Sequence, residues 1–274
     1  MKKVALVTGA SSGIGEVSVR RLLAEGYQVY AAARRVDKMQ PLVAAGATVL
    51  SLDVCDDTSM VTAVETILRD SGRIDVLLNN AGYGAYGALE DVPMAEARRQ
   101  VEVNLFGLAR LIQLVVPTMR AQRSGSILNV TSIGGKMHEP FGAWYHATKF
   151  AVEGLSDCLR MELAQFGIDV VVIEPGAIKT EWGGIAAQSL LDASGSTAYG
   201  AEARRHAAML TNGQERCSDP SVIADVVIKA VRATKPRTRY AAGMGAKPIL
   251  FLRWLLSDRA FDGFMRMVER QVTR

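Results

Sequence analysis

Val4-Ala5-Leu6-Val7-Thr8-Gly9-Ala10-Ser11-Ser12-Gly13-Ile14-Gly15 decides how this chain is read. Its first four residues are an unbroken apolar run, as a strand covered on both faces of a sheet requires. Glycines at 9, 13 and 15 follow directly, before a helix that opens near Ile14. Glycine suits that turn because it adopts backbone angles other residues avoid. A Cβ there would also hold a pyrophosphate away from the exposed amides of the helix N-terminus. A glycine cluster alone also fits a tight strand-to-helix turn, but the strand before it and the helix after it favour a dinucleotide site formed by Gly9, Ser11, Ser12, Gly13, Ile14 and Gly15.

Outward from this stretch, apolar runs alternate with segments able to form helices. The runs are Gln28 to Ala33, Thr48 to Leu52, Val76 to Leu78, Ser126 to Val130 and Asp169 to Ile173. That alternation predicts an α/β fold with a doubly wound parallel sheet of Rossmann type, helices covering both faces. Gly26, Gly46 and Gly125 punctuate the joints. No repeat or linker interrupts the 274 residues, so 1–274 reads as a single domain. A composition of 49% hydrophobic and 22% charged residues excludes disordered and collagen-like chains.

Two regions depart from the alternation. Residues 179–217 are small and polar, with Gly183-Gly184 and Ser194-Gly195-Ser196, and read as an irregular, mobile lid over the sheet's C-terminal edge. Residues 243–274 form a basic, apolar tail with two short helices: Pro248 suits the start of one, Ser257 the cap of the next, and Phe261, Phe264, Met265 and Val268 share a face.

The net charge of +4 is too small to argue for nucleic acid. It is also uneven, since residues 232–274 hold ten Lys/Arg against three Asp/Glu. Lys247, Arg253, Arg259 and Arg266 interleave there with Leu250, Phe251, Trp254 and Leu255, a combination suited to an anionic membrane surface. The favoured expectation is that the tail packs on the sheet edge and lid, because its aromatic residues need cover. No apolar run approaches the length of a spanning helix, since Arg253 breaks the stretch from Ile249 to Leu256. Met1-Lys2-Lys3 leads straight into the first strand, leaving no room for a signal peptide, and Cys55, Cys158 and Cys217 lack metal or redox spacing. A cytoplasmic protein is expected, and no metal site.

The second strand ends at Ala33-Arg34-Arg35, where an NAD site would place a carboxylate on the ribose. Arg34 can meet a 2′-phosphate with its planar fork, so Arg34 and Arg35 favour NADP(H) over NAD(H). Asp53, with Val54 after it, could accept from an adenine amino group or simply form a turn. Tyr145 and Lys149 lie four apart, on one face of a helix. An ammonium beside Tyr145 favours its phenolate. Ser132 follows the fifth strand thirteen residues earlier, and Asn104 sits inside an apolar helix where a buried amide requires a partner.

Taken together, these residues resemble the short-chain dehydrogenase/reductase family. The glycine stretch is similar to its cofactor loop, and Asn79-Asn80-Ala81-Gly82 to the motif after its fourth strand, with Asn80, Ala81 and Gly82 beside the adenosine. Asn104, Ser132, Tyr145 and Lys149 match its catalytic tetrad. Pro175, Gly176, Ile178 and Thr180 match the segment that contacts the nicotinamide carboxamide. The match runs in order over residues 4 to 180, and the phrases after Asn80 and Lys149 most resemble hydroxysteroid and retinol dehydrogenases.

The resemblance implies hydride transfer between NADPH and a carbonyl or secondary alcohol. Tyr145 would move the proton, Ser132 would hold the oxygen, Lys149 would hold the ribose and lower the Tyr145 pKa, and Asn104 would anchor a water. It also implies a homodimer or homotetramer. His146 departs from the small residue usual after the tyrosine and reads as an interface or surface residue. The substrate pocket, expected from residues 83–87, 133–141 and 179–217, reads as apolar without a polar handle and implies a largely apolar substrate. Two alternatives stand beside this reading: a ketoacyl-type reductase, and an NADP(H)-binding regulatory protein without catalysis.

Overall fold

The computed structural model describes residues 2–212 and 215–272, so positions 213–214 of the expected lid and 273–274 of the tail lie outside the described residues. In chain order the elements are β1 Val4–Thr8, α1 Gly13–Ala24, β2 Gln28–Ala33, α2 Gln40–Ala44, β3 Thr48–Ser51, α3 Asp57–Ser71, β4 Val76–Asn79, α4 Met94–Val101, α5 Gly107–Gln122, β5 Gly125–Val130, α6 Ala143–Leu163, β6 Ile168–Pro175, α7 Trp182–Ser194, α8 Gly200–Thr211, α9 Ser221–Arg232, β7 Arg239–Ala242, α10 Ala246–Leu255 and α11 Asp258–Val272. The strands form one parallel sheet in the order β3-β2-β1-β4-β5-β6-β7. Winding reverses between β1 and β4, which opens a crevice at the C-terminal ends of those strands. The strand β7 was not foreseen, because four residues with one buried side chain carry no apolar run.

Successive strand residues point to opposite faces, and each face has its own core. Leu6, Leu77, Ile127 and Val170 pack with Ile67, Leu111, Val115 and Val152 of α3, α5 and α6. Val7, Leu78, Leu128 and Val171 pack with Val19, Leu22, Ile223 and Val227 of α1 and α9. Local signals set the ends of these helices. Asp56 caps α3 by accepting from the amides of Thr58 and Ser59 at 2.9 and 3.3 Å, and Gly72 closes it at φ +68°.

Met94–Gln122 runs as one helix through a π-helical turn at Glu102–Phe106. By length and composition it could cross a membrane, contrary to the sequence expectation that no stretch approaches that threshold. Here it buries Leu108, Leu111, Ile112, Val115 and Met119 against the sheet.

The lid corrects the expectation of an irregular segment: α7 and α8 form a packed helical pair. Its small residues, read as loop composition, let the helices approach closely, with Ala186, Ala187, Leu190, Ala203 and Ala207 buried between them and Tyr86. Gly183-Gly184 falls in the first turn of α7 and Ser194-Gly195-Ser196 at the joint. In the tail Phe261 is fully buried as expected, while Phe251, Trp254 and Leu255 of α10 stay exposed, against the expectation that the tail hides its aromatics.

Candidate active site

The β1–α1 turn holds Gly9 at φ +64° and Gly13 at φ +56°, the left-handed region that favours glycine. Packing requires the third glycine, since a Cβ on Gly15 would lie 2.3 Å from the Gly9 carbonyl oxygen. The neighbouring strand locks this turn. Thr8 Oγ1 accepts from the amides of Asn80 and Ala81, each at 3.0 Å, and Asn80 Nδ2 donates to the carbonyls of Thr8 and Gly9 at 3.1 and 3.3 Å. Asn79 and Asn129 continue inward as a buried chain, with Asn79 donating to Asn129 and Asn129 to Ser156.

At the rim of the turn, Arg35 Nη2 donates to the hydroxyls of Ser11 and Ser12 at 3.2 and 3.1 Å. Arg34 is exposed at the end of β2, its carbonyl accepting from the Val36 amide at 3.2 Å and its side chain without a hydrogen-bond partner among the described residues. Asp53 takes the turn-forming role, its Oδ1 accepting from the Cys55 amide at 3.0 Å. Val54 is buried against Gly107, where a Cβ would meet the Val54 carbonyl oxygen at 2.2 Å.

Tyr145 and Lys149 are both buried on α6. Lys149 Nζ donates to the Val130 carbonyl at 3.0 Å and lies 5.8 Å from the centre of the Tyr145 ring. Burial draws the lysine down to about 8, against the Glu153 charge one turn away. Burial also raises the Tyr145 phenol above its ordinary value, Ser132 beside it pulls down, and the Glu139 charge pushes up. In the chain alone burial therefore raises this phenol, and Ser132, rather than the expected Lys149, is the neighbour that favours the phenolate.

Ser132 Oγ accepts from the Gly134 amide at 3.0 Å, which fixes its rotamer. Asn104 lies in the π-helical turn and makes three hydrogen bonds: Oδ1 accepts from the Tyr83 amide at 3.1 Å, and Nδ2 donates to the Tyr83 carbonyl at 2.9 Å and to Thr148 Oγ1 at 3.1 Å. It pins the chain beside Gly82, where a Cβ would stand 3.6 Å from Lys149 Nζ. The segment after β6 is equally constrained. A Cβ on Gly176 would meet the Met244 carbonyl oxygen at 2.2 Å, Ile178 bridges Ser218, and the Thr180 methyl packs on Gly13.

His146 is buried rather than at a surface. Its Nδ1 is 2.8 Å from the Gly134 carbonyl oxygen, and its ring stands 5.5 Å from that of Tyr145. Tyr86 and Glu139 fall within the stretches expected to line the pocket, but neither had a role of its own in the sequence reading; the structure sets the Tyr86 ring 5.7 Å from that of Tyr145 and hydrogen-bonds it to Glu139. Among the described residues no cluster could hold a metal ion.

These features fit a nicotinamide dinucleotide. The glycine turn leaves a cradle that a Cβ would fill, Arg34 and the Arg35–Ser11–Ser12 rim offer donors to phosphate, and the buried Lys149 ammonium has one hydrogen-bond acceptor, leaving donors for ribose hydroxyls.

Comparison with known proteins supports the same assignment. The short chain dehydrogenase family model matches residues 3–188. Human retinol dehydrogenase 8 is 31% identical over 287 residues, covering 99% of this chain and 91% of that protein. A Helicobacter pylori protein named "Probable short-chain type dehydrogenase/reductase VdlC" is 32% identical over 265 residues, 97% of each chain. Among solved structures, a short-chain dehydrogenase from Streptomyces avermitilis superposes with a TM-score of 0.84 at 35% identity over 99% of both chains. A metagenomic short-chain oxidoreductase in complex with NADP gives 0.68 at 30% identity, covering 87% of this chain and 95% of that one. The 3-ketoacyl-(acyl-carrier-protein) reductase of Brucella melitensis, complexed with NADH, gives 0.73 at 28%, covering 86% and 94%.

Proposed function

This chain belongs to the short-chain dehydrogenase/reductase family, and from that premise we propose that it is an NADP(H)-dependent oxidoreductase acting on a carbonyl or secondary alcohol of a largely apolar substrate. The observation that carries the proposal is the convergence of Ser132, Tyr145 and Lys149 at the crevice beside the glycine turn. An idle nucleotide-binding protein has no need of a buried phenol, a hydroxyl with a fixed rotamer and a buried ammonium in one place.

Gly9, Gly13, Gly15, Asn80 and Thr180 would hold the dinucleotide, with Lys149 on the nicotinamide ribose. When bound, it supplies or accepts the hydride. Tyr145, whose phenol burial keeps protonated in the chain alone, donates its proton to the substrate oxygen in reduction, and Ser132 Oγ hydrogen-bonds that oxygen as charge develops. Asn104 keeps the Tyr83 backbone and Thr148 in place beside Lys149. Trp182, whose ring is 5.1 Å from that of Tyr145, covers the reacting end and excludes water.

Preference for NADP(H) rests on Arg34 and Arg35, because the neighbours named above include both an NADP and an NADH complex. The test is a panel of steroid, retinoid, fatty-acyl and aromatic ketones with NADPH and NADH, followed by absorbance of the reduced nicotinamide. Turnover with NADPH that falls ~10²- to 10⁴-fold in Tyr145→Phe is expected. Full activity in that variant would show that another group moves the proton.

A further inference from the structure

Beneath the lid Tyr86, Tyr145 and Trp182 form an aromatic triangle, with ring centres 5.7 Å from Tyr86 to each of the others and 5.1 Å between Tyr145 and Trp182. A carboxylate borders this cluster. The side chain of Glu139 is 16% exposed, and Tyr86 donates its phenolic hydrogen to Glu139 Oε1 at 2.6 Å. A carboxylate can accept about four hydrogen bonds, so one that is still partly open to solvent has room for a further donor. Here one neutral phenol is its hydrogen-bond donor.

His146 does not complete the set. The Gly134 carbonyl can only accept, so Nδ1 carries the proton of that 2.8 Å contact and Nε2 faces the other way. Nε2 is buried without a hydrogen-bond partner, and it lies 4.0 Å from the same Glu139 oxygen, too far to bond it. The loop packs closely against the His146 and Tyr86 rings. A Cβ on Gly142 would meet His146 Cδ2 at 2.7 Å and Tyr86 Cε1 at 3.1 Å, and Phe141 is held at φ +65°, a strained conformation for a residue with a side chain. A carboxylate with room for a further donor, a buried imidazole nitrogen without a hydrogen-bond partner and the Tyr145 ring therefore lie together beneath the lid.

The geometry points to Glu139 as a specificity-determining residue: with Tyr86 and His146 beside it, it takes a hydrogen-bond donor, a hydroxyl or an ammonium group, carried by the substrate close to its reacting carbon. This inference rests on the carbonyl-reductase reading and supplies the polar handle that the apolar pocket lacked in sequence. Both groups border Tyr145, which places the donor at the same end of the substrate as the carbonyl. An ammonium there would also offset the Glu139 charge that opposes ionisation of Tyr145.

The test compares kcat/KM for ketones of one carbon skeleton bearing an amino, a hydroxyl or a methyl group beside the carbonyl. The wild-type protein is expected to favour a donor-bearing ketone over the methyl analogue at least ten-fold. Glu139→Gln keeps an acceptor for Tyr86 and removes the charge, so it should collapse a preference for the amine and reduce one for the hydroxyl only several-fold. The double variant Glu139→Leu with Tyr86→Phe leaves no orphaned partner and should abolish both preferences. A wild-type preference for the methyl analogue, or ratios unchanged in either variant, would overturn the inference. Calorimetric titration of the amino and hydroxy ketones into the NADPH-loaded protein separates the two readings. Absence of turnover with every ketone sinks the carbonyl-reductase reading. Binding of both donor-bearing ketones that is equally tight in wild type and Glu139→Gln, and in the double variant where it folds, sinks the anchor, whereas weakened binding supports it even without turnover.

Discussion

Arg35 Nη2 lies 3.0 Å from Glu181 Oε2, an ion pair that ties the end of β2 to the residue before the lid helix α7. Lys38 Nζ adds a second contact to the same carboxylate at 3.2 Å, and Ser12 Oγ a third at 3.3 Å. A carboxylate thus occupies the donors at the rim of the glycine turn, where Arg35 already holds Ser11 and Ser12. Both partners are nearly half exposed, so the pair itself adds little stability.

That arrangement divides the roles of the two arginines in cofactor choice. The Arg34 guanidinium, free of hydrogen bonds among the described residues, can turn to a 2′-phosphate, whereas Arg35 must be shared with Glu181. Arg34→Asp is expected to weaken NADPH relative to NADH by ~10- to 100-fold, the worth of one charge-assisted contact. Glu181→Gln, which releases Arg35, should tighten NADPH several-fold and leave NADH nearly unchanged. Fluorescence titration with both nucleotides checks this, and equal affinities in the wild-type protein would remove the claim.

The lysine sets a pH limit. Burial brings Lys149 down to about 8, so in the free protein its ammonium is present below that pH and is lost above it. NADPH affinity should fall as pH rises through about 8, with Lys149→Met binding weakly throughout and showing no such step. A wild-type binding constant flat from pH 7 to 9 would contradict this.

Glu174 predicts a slope in stability. Burial, and then the charge of Glu153, raise it from 4.5 to about 7, against Arg239 at 3.7 Å. A carboxyl whose folded pKa is raised holds a proton that the unfolded chain releases. Its contribution is therefore complete below about 4.5 and lost as pH rises through about 7. Glu174→Gln cannot ionise, so its Tm should fall less than the wild-type Tm between pH 5 and pH 8. Parallel melting curves across that range would refute the assignment.

The tail separates packed from exposed aromatics. Phe261 is fully buried beneath Arg253 and beside His138, which pairs with Asp262 at 2.9 Å. Phe261→Ala should destabilise by ~3–5 kcal/mol in chemical denaturation. Trp254 is 79% exposed, and Trp254→Ala should stay within ~0.5 kcal/mol. Those exposed residues are also the ones that would meet an anionic membrane. Salt-sensitive sedimentation with anionic vesicles, weakened by Trp254→Ala, would revive that reading, and no sedimentation at low salt would end it.

The features legible in the sequence are those governed by neighbours along the chain. Gly9 and Gly13 announce left-handed backbone, the apolar runs announce strands covered on both faces, and the four-residue step from Tyr145 to Lys149 puts both on one side of a helix whatever surrounds it. Packing decided the rest. The helices α7 and α8 were hidden because alanines and glycines carry little amphipathic contrast, although their small size is what lets the pair close. Tyr86 and Glu139 are 53 residues apart and meet only because the loops after β4 and β5 leave the same edge of the sheet. The Tyr145 phenol is raised, and not lowered, because desolvation depends on everything folded around the ring, and no spacing along the chain encodes how much water a side chain loses.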